Sequence, residues 1–483
     1  MNQQNTWNRY SDKQVKETDK FAEAYMKFLN KGKTERECTD EIVNQIEDAG
    51  YVELEKLLKK KETLKAGDKV YAVCMNKAVA MFHIGKEDLE EGMNILGAHI
   101  DSPRLDIKQN PLYEDTGFAM LDTHYYGGIK KYQWVTLPLA IHGVVIKKDG
   151  TTVIVNVGEK EDDPVFFVSD LLVHLSQEQM EKKASKVIEG EALDLIVGNK
   201  PIKFEDPEKD EKKKKEDKED SANDDKAAAK DAVKKGILAI LKETYDMEED
   251  DFCSAELEVV PAGKAREAGF DRSMIMAYGQ DDRVCAYASL AAMLEVKAPE
   301  KTACCLLVDK EEIGSVGATG MRSKFFENTV AEVMNLMGTY SELSLRRCLS
   351  RSAMLSSDVS SAFDPTYAAC FDKKNVAYLG NGMVFNKFTG SRGKSGSNDA
   401  NAEYVAEIRK IMDEGDVNFQ TAELGKVDLG GGGTIAYILS LYGMRVIDCG
   451  VAVLNMHAPW EVTSKADVYE TKRGYVAFLE KSL

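Results

Sequence analysis

The sequence predicts an α/β fold: a mainly parallel mixed sheet covered by helices, with a small β-rich domain inserted into it. Three observations lead there. Short apolar runs such as MNILGAHI, TACCLLVDKEE and RVIDCGVAVLN alternate with stretches of helical periodicity such as DRVCAYASLAAMLEV, the pattern of strands buried on both faces and joined by crossover helices. Several of these runs end in polar, chemistry-bearing residues, where open α/β sheets place their sites. From about Pro103 the texture changes to short β-rich segments, WVTLPLAIHGVVI and TTVIVNVG among them, punctuated by Gly and Asp turns.

In chain order, residues 11 to 65 read as two or three helices, with Phe21, Ala24, Tyr25, Phe28 and Leu29 at helical spacing. KVYAVCMN and then MNILGAHI follow as strands. After the β-rich stretch, residues 205 to 235 hold 22 charged side chains among 31 residues, 12 acidic and 10 basic. So little apolar surface cannot offset the entropy of ordering, so a mobile segment or a solvated helix is expected there. The α/β texture returns after Gly236: GILAILKETY as a helix, SAELEVVPAG as a strand, then a helix after GQDD and the strand TACCLLV. NTVAEVMNLMG reads as a helix, SAMLSSDVSSAFDP as a strand leading to a loop, and VDLGGGGTIAYILSLYG as a Gly loop entering a helix. RVIDCGVAVLN is the last strand, followed by MHAPWEV. The expected domains are 1–103 and 256–483, forming one α/β body, and 104–255, the insertion.

Composition narrows the function classes. A net charge of −18 over 483 residues argues against a general nucleic-acid or anionic-membrane binder, which needs basic faces. The first twenty residues contain no apolar core of a signal peptide, and no apolar run approaches the roughly 18 residues that cross a bilayer. Nine scattered cysteines without C-x-x-C spacing fit reduced, buried thiols and a cytoplasmic location.

Five junctions carry candidate chemistry. Glu311-Glu312 follows the strand LLV and precedes a Gly-rich loop; neighbouring side chains at a strand end point apart, so one carboxylate can bind a metal while the other moves a proton. His99-Ile100-Asp101 ends a strand, with alternation placing His99 and Asp101 on one side; Asp101 can then accept the second ring N–H of a ligating His99. Asp281-Asp282 opens a helix, where aspartate ordinarily caps but two in succession can divide capping from ligation. Asp358 and His457 sit at two further strand ends. Singly each has an ordinary structural explanation. Together His99, Asp281, Glu312, Asp358 and His457 supply two imidazoles and three carboxylates, the inventory for two divalent cations about 3.5–4 Å apart sharing one carboxylate. Zinc suits such mixed ligation, and manganese or cobalt also fits. Glu311 remains as general base. The basic cluster Lys387, Arg392 and Lys394 can pair with an acidic substrate group or form a solvated loop.

The order H-x-D, D-D, E-E, D, H resembles the co-catalytic dizinc aminopeptidases. The longer motifs GAHIDSPRLDIK, GQDDRVCAYASL, DKEEIGSVGATG, SSDVSSAFDP and NKFTGSRGKSG resemble the aspartyl aminopeptidase family, from about residue 10 to the end of the chain apart from the charged segment. The resemblance implies His99 and Asp358 on one metal, Glu312 and His457 on the other, Asp281 bridging, Asp101 orienting His99, and Glu311 as proton shuttle. It implies hydrolysis of N-terminal Asp or Glu from short peptides with a free N-terminus, and Lys387 as the specificity residue by its place in NKFTG. It also implies dimerisation through the insertion, assembly into a dodecamer, and a histidine, here His174, reaching a neighbouring protomer's site. Related metal-dependent deacylases and carboxypeptidases share H-x-D and E-E but insert their extra domain between E-E and the last histidine. Here the insertion lies between His99 and Asp281. A non-catalytic assembly or cargo protein on the same shell would be expected to have lost ligands.

Overall fold

Ser11 and Thr34 start the first two helices, Asp12–Lys31 and Glu35–Asp48, each by a reciprocal capping box with the residue three positions on. The computed structural model to which they belong describes residues 5–202, 231–390 and 392–481. Its contacts divide the chain into two units, Met1–Pro103 with Lys264–Leu483, and Arg104–Gly263.

The first unit is built on a nine-stranded sheet in the order Val52–Glu53, Lys69–Cys74, Ala78–His83, Thr302–Val308, Met93–His99, Ala353–Ser357, Arg445–Gly450, Met383–Asn386, Phe419–Thr421. Thr302–Val308, Met93–His99, Ala353–Ser357 and Arg445–Gly450 run parallel to one another, so their C-terminal ends share one edge. Antiparallel pairs join Lys69–Cys74 to Ala78–His83, Ala78–His83 to Thr302–Val308, and Met383–Asn386 to Arg445–Gly450. Alternation sends Leu96, Ala98, Cys305, Leu307 and Leu355 into one apolar cluster, with Tyr25, Ala288 and Phe478. Ile95, Cys304, Leu306 and Met354 enter another, with Val330, Leu349 and Leu439. Both faces of the sheet are therefore covered, and its central strands read as continuous apolar runs for that reason.

Two elements differ from expectation. Ala78–His83, buried at every residue, shows no alternation and was not among the expected strands. RVIDCGVAVLN is two strands: Arg445–Gly450 stays in the large sheet, while Ala452–Leu454 joins a five-stranded sheet with Ser360–Ser361, Glu461–Ser464, Met274–Ala277 and Arg266–Ala268. The break falls after Gly450, where a Cβ would come within 2.0 Å of the Asp358 carbonyl oxygen; only glycine lets that chain pass. Six of the nine cysteines are buried as expected, but Cys253 and Cys370 are exposed and Cys74 is half-buried.

The Arg104–Gly263 unit carries a six-stranded sheet, ordered Thr152–Val157, Leu139–Ile146, Ala255–Pro261, Arg104–Asp115, Phe118–Tyr126, Leu195–Gly198, antiparallel throughout. Its last strand, Ala255–Pro261, pairs along its whole length with Leu139–Ile146. Of the charged stretch expected at 205–235, residues up to 230 lie outside the described residues, and the remainder begins the helix Ala232–Tyr245. Among the described residues, no helix is long and apolar enough to cross a membrane.

Buried Asp448, in the strand Arg445–Gly450, gives a pH prediction. Its Oδ1 accepts the Thr434 hydroxyl at 2.5 Å, its Oδ2 has no hydrogen-bond partner among the described residues, and burial pushes its carboxyl from the ordinary 3.8 up to about 7. The unfolded chain ionises this group first, so its contribution to stability is full below pH 4 and is lost as pH rises through 7. Asp448→Asn removes that loss. Its stability advantage over wild type, measured by urea melts, is expected to grow between pH 4.5 and pH 8 by about 3 kcal/mol; an unchanged difference would refute the account.

Candidate metal centre

His99 is the last residue of its strand. The next peptide is pinned on both sides: the Ile100 N–H donates to the Val308 carbonyl at 2.8 Å, and the Ile100 carbonyl accepts from Arg283 Nε at 3.2 Å. The chain then turns, and His99 Nδ1 lies 3.0 Å from the backbone oxygen of Asp101 and 3.3 Å from its Oδ1. An Nδ1–H held there leaves Nε2, on the other side of the ring, as an electron-pair donor. Asp101 does more than face His99. Its two carboxylate oxygens accept the backbone N–H groups of Glu311 at 3.1 Å and Glu312 at 3.2 Å.

Those N–H groups are available because Glu311-Glu312 does not extend the strand. Lys310 takes a left-handed conformation, and Glu311–Ile313 is a single 3-10 turn, whose first N–H groups have no partner within the turn. Asp309 closes the loop from beneath, accepting the Thr319 hydroxyl at 2.6 Å. The divergence of the two carboxylates thus comes from a turn, not from strand alternation.

Asp281 stands in irregular backbone at the start of Gln280–Glu295, a helix whose N-cap position is Gly279, with no side-chain cap from it. Asp281 Oδ1 lies 3.3 Å from His99 Nε2, and its Oδ2 lies 3.3 Å from His457 Nε2. Asp282 Oδ2 accepts the backbone N–H of His99 at 3.4 Å, and a carboxylate oxygen of Asp282 lies within 4.8 Å of those of Asp281 and Asp358. His457, itself left-handed at φ 64°, places Nε2 3.5 Å from Glu312 Oε2. Asp358 Oδ1 and Glu311 Oε2 are each 3.9 Å from His99 Nε2. The fold therefore gathers His99, Asp101, Asp281, Glu311, Glu312, Asp358 and His457 at the shared edge of the parallel strands. Ligand atoms of His99, Glu311 and Asp358 lie within 4.8 Å of one another, as do those of His99, Asp281 and Glu312.

Two expected residues have other surroundings within their own units. His174 is in the Arg104–Gly263 unit, exposed on the 3-10 turn Val173–Leu175. Lys387 follows the strand Met383–Asn386, and its ammonium pairs with Asp399, which also takes Lys394 at 3.0 Å. Two members of the expected basic cluster thus already share a carboxylate. Glu461 was not foreseen: it is buried, and its two oxygens accept the N–H groups of His457 at 2.8 Å and Asp281 at 3.0 Å. Its only signal in the sequence is an acid four residues after His457.

The electrostatics test whether cations fit. Burial pushes the Glu311 carboxyl up to about 7 and those of Asp282 and Glu461 up to about 8. Glu312 and Asp358 are held well above the carboxylate range, by burial and then by Asp281. Burial also disfavours charge on Asp281, but the two imidazoles hold its carboxyl well below the usual range. Glu312 Oε1 is buried with no hydrogen-bond partner among the described residues. So many carboxyl groups around two imidazoles ionise together only if positive charge is brought among them. The donor set, imidazole nitrogen plus carboxylate oxygen, is one that zinc takes. The residues fit the metal.

A family model, aminopeptidase I zinc metalloprotease (M18), matches residues 28–479. A probable M18 family aminopeptidase 1 of Clostridium acetobutylicum is 63% identical over 475 residues, covering 98% of this chain and 97% of the relative. The crystal structure of aminopeptidase I from Clostridium acetobutylicum superposes with a TM-score of 0.89 at 60% identity, and that of an M18 aminopeptidase from Thermotoga maritima with 0.90 at 43%; both cover 100% of each chain.

Proposed function

The chain belongs to the aminopeptidase I zinc metalloprotease (M18) family and is a zinc-dependent aminopeptidase, and on that premise we propose that it uses two ions to release N-terminal Asp or Glu from short peptides. The observation that carries the two-ion reading is Asp281, whose two oxygens each face a different imidazole at 3.3 Å. His99 and Asp358 would hold one ion, Glu312 and His457 the other, and Asp281 both. Bound there, zinc polarises a carbonyl oxygen and acidifies water.

The protein's own groups supply the rest. Glu311 accepts the proton of the attacking water and returns it to the departing amine. Asp101 orients His99 through Nδ1 and, through the two N–H groups it accepts, sets the position of the Glu311-Glu312 turn. Lys387 pairs with the acidic side chain of the substrate, exchanging Asp399 for it. The Arg104–Gly263 unit mediates dimerisation and brings His174 to a neighbouring protomer's site, and the dimers build a dodecamer, the state of the yeast relative mApe1. The protein works in the cytoplasm.

Release rates from otherwise identical Asp, Glu and Leu substrates, with and without chelator, test the reading. Asp and Glu are expected to be released at least about 10-fold faster than Leu, in line with a desolvated charge pair. A blocked N-terminus should not be cut. Leu outpacing both acids would refute the acidic preference.

A further inference from the structure

We propose that Glu461 is the positioning residue that locks the His457 and Asp281 segments together, and so sets the geometry of the ion site between Asp281, Glu312 and His457. This rests on the two-ion reading above.

Glu461 is itself rigidly held. It opens the strand Glu461–Ser464, pairing with Ala277, and its backbone oxygen accepts from Gln280 Nε2 at 2.7 Å. From that fixed point its carboxylate spans two chain segments, accepting the His457 N–H through Oε1 at 2.8 Å and the Asp281 N–H through Oε2 at 3.0 Å. Neither donor belongs to a regular ladder: His457 is left-handed, and Asp281 lies in the non-helical entry to its helix. No secondary structure therefore fixes where these residues put their side chains. Of the five candidate ligand residues, Glu461 accepts from these two, whose side chains meet at 3.3 Å, the same separation as between Asp281 and His99. Ser102 supports the same segment from the other side, its hydroxyl donating to the Asp281 carbonyl at 2.6 Å. A buried carboxylate beside other carboxylates is costly. An apolar residue would avoid that cost but leave both N–H groups unsatisfied and both ligands free to shift.

Glu461→Gln keeps size and one acceptor but turns an NH2 group toward one of the two N–H groups; Glu461→Ala removes both acceptors. Metal-free wild type, both variants and a control, Thr463→Val, would be titrated with Zn2+ in competition with a chromophoric chelator. Thr463 is buried on the same strand and donates to the Ala452 carbonyl at 2.8 Å, so its loss costs stability without touching a ligand residue. The expected result is that Glu461→Gln weakens one of two zinc-binding steps by about 10–100-fold, the range for removing an outer partner of a ligand, while Thr463→Val leaves both unchanged. Both steps within about 3-fold of wild type in Glu461→Gln would overturn the proposal, whether or not Glu461→Ala folds. If wild type itself binds no zinc, the two-ion reading fails, and a crystal structure of Glu461→Gln decides separately. Displaced His457 and Asp281 side chains support the positioning role, and unmoved ones overturn it.

Discussion

Glu311→Gln should bind zinc as wild type does and lose about 10²–10⁴-fold in kcat, the contribution of a positioned general base. The substitution is isosteric and leaves the backbone untouched, so the Glu311 N–H still donates to Asp101 Oδ1 and the Glu312 N–H to Oδ2. Glu312 keeps its place beside His457. What disappears is the one carboxylate near His99 Nε2 that the two-ion reading leaves without a metal. Because the proton moves only during reaction, KM should change little while kcat and kcat/KM fall together. Zinc content measured on the same sample separates this from ligand loss. Turnover near wild type, with zinc present, would end the assignment.

Exhaustive chelation should bring activity to background, and zinc should restore it with saturation at two equivalents per chain. Carboxyls of Glu312 and Asp358 are pushed well above their ordinary range in the protein alone, and cations at this edge relieve that repulsion. Binding to the folded chain also raises its stability, by about 2.7 kcal/mol per ion at a free concentration 100 times Kd, so the chelated protein should melt at lower temperature. Full recovery at one equivalent would refute the two-ion reading while leaving zinc dependence intact.

The parts of this architecture legible in the sequence share a physical cause. A strand buried on both faces must be apolar along its length, so MNILGAH and TACCLLV stand out, and the polar residues that end them mark the sheet edge. That is why His99, Glu311-Glu312, Asp358 and His457 could be picked out one by one. What stayed illegible depends on approach through space. Asp101 accepts two N–H groups about 210 residues away, and Glu461 accepts one 180 residues away; no local pattern encodes either. Gly450 splits one apparent strand into two because the Asp358 carbonyl passes against it, a reason invisible in RVIDCGVAVLN. An aspartate at a helix start ordinarily caps it; Asp281 instead sets its two oxygens 3.3 Å from the two imidazoles, an arrangement no local pattern encodes.

The parallel edge on which the site is built also orders its appearance during synthesis. His99 is translated early, but the strand Arg445–Gly450, the loop to His457 and the Glu461 anchor come more than 340 residues later. A nascent or truncated chain can present the H-x-D and E-E segments, yet it lacks the second imidazole and the carboxylate that holds Asp281 against it. On the two-ion reading, hydrolytic competence therefore waits until the chain has been made and folded through Glu461.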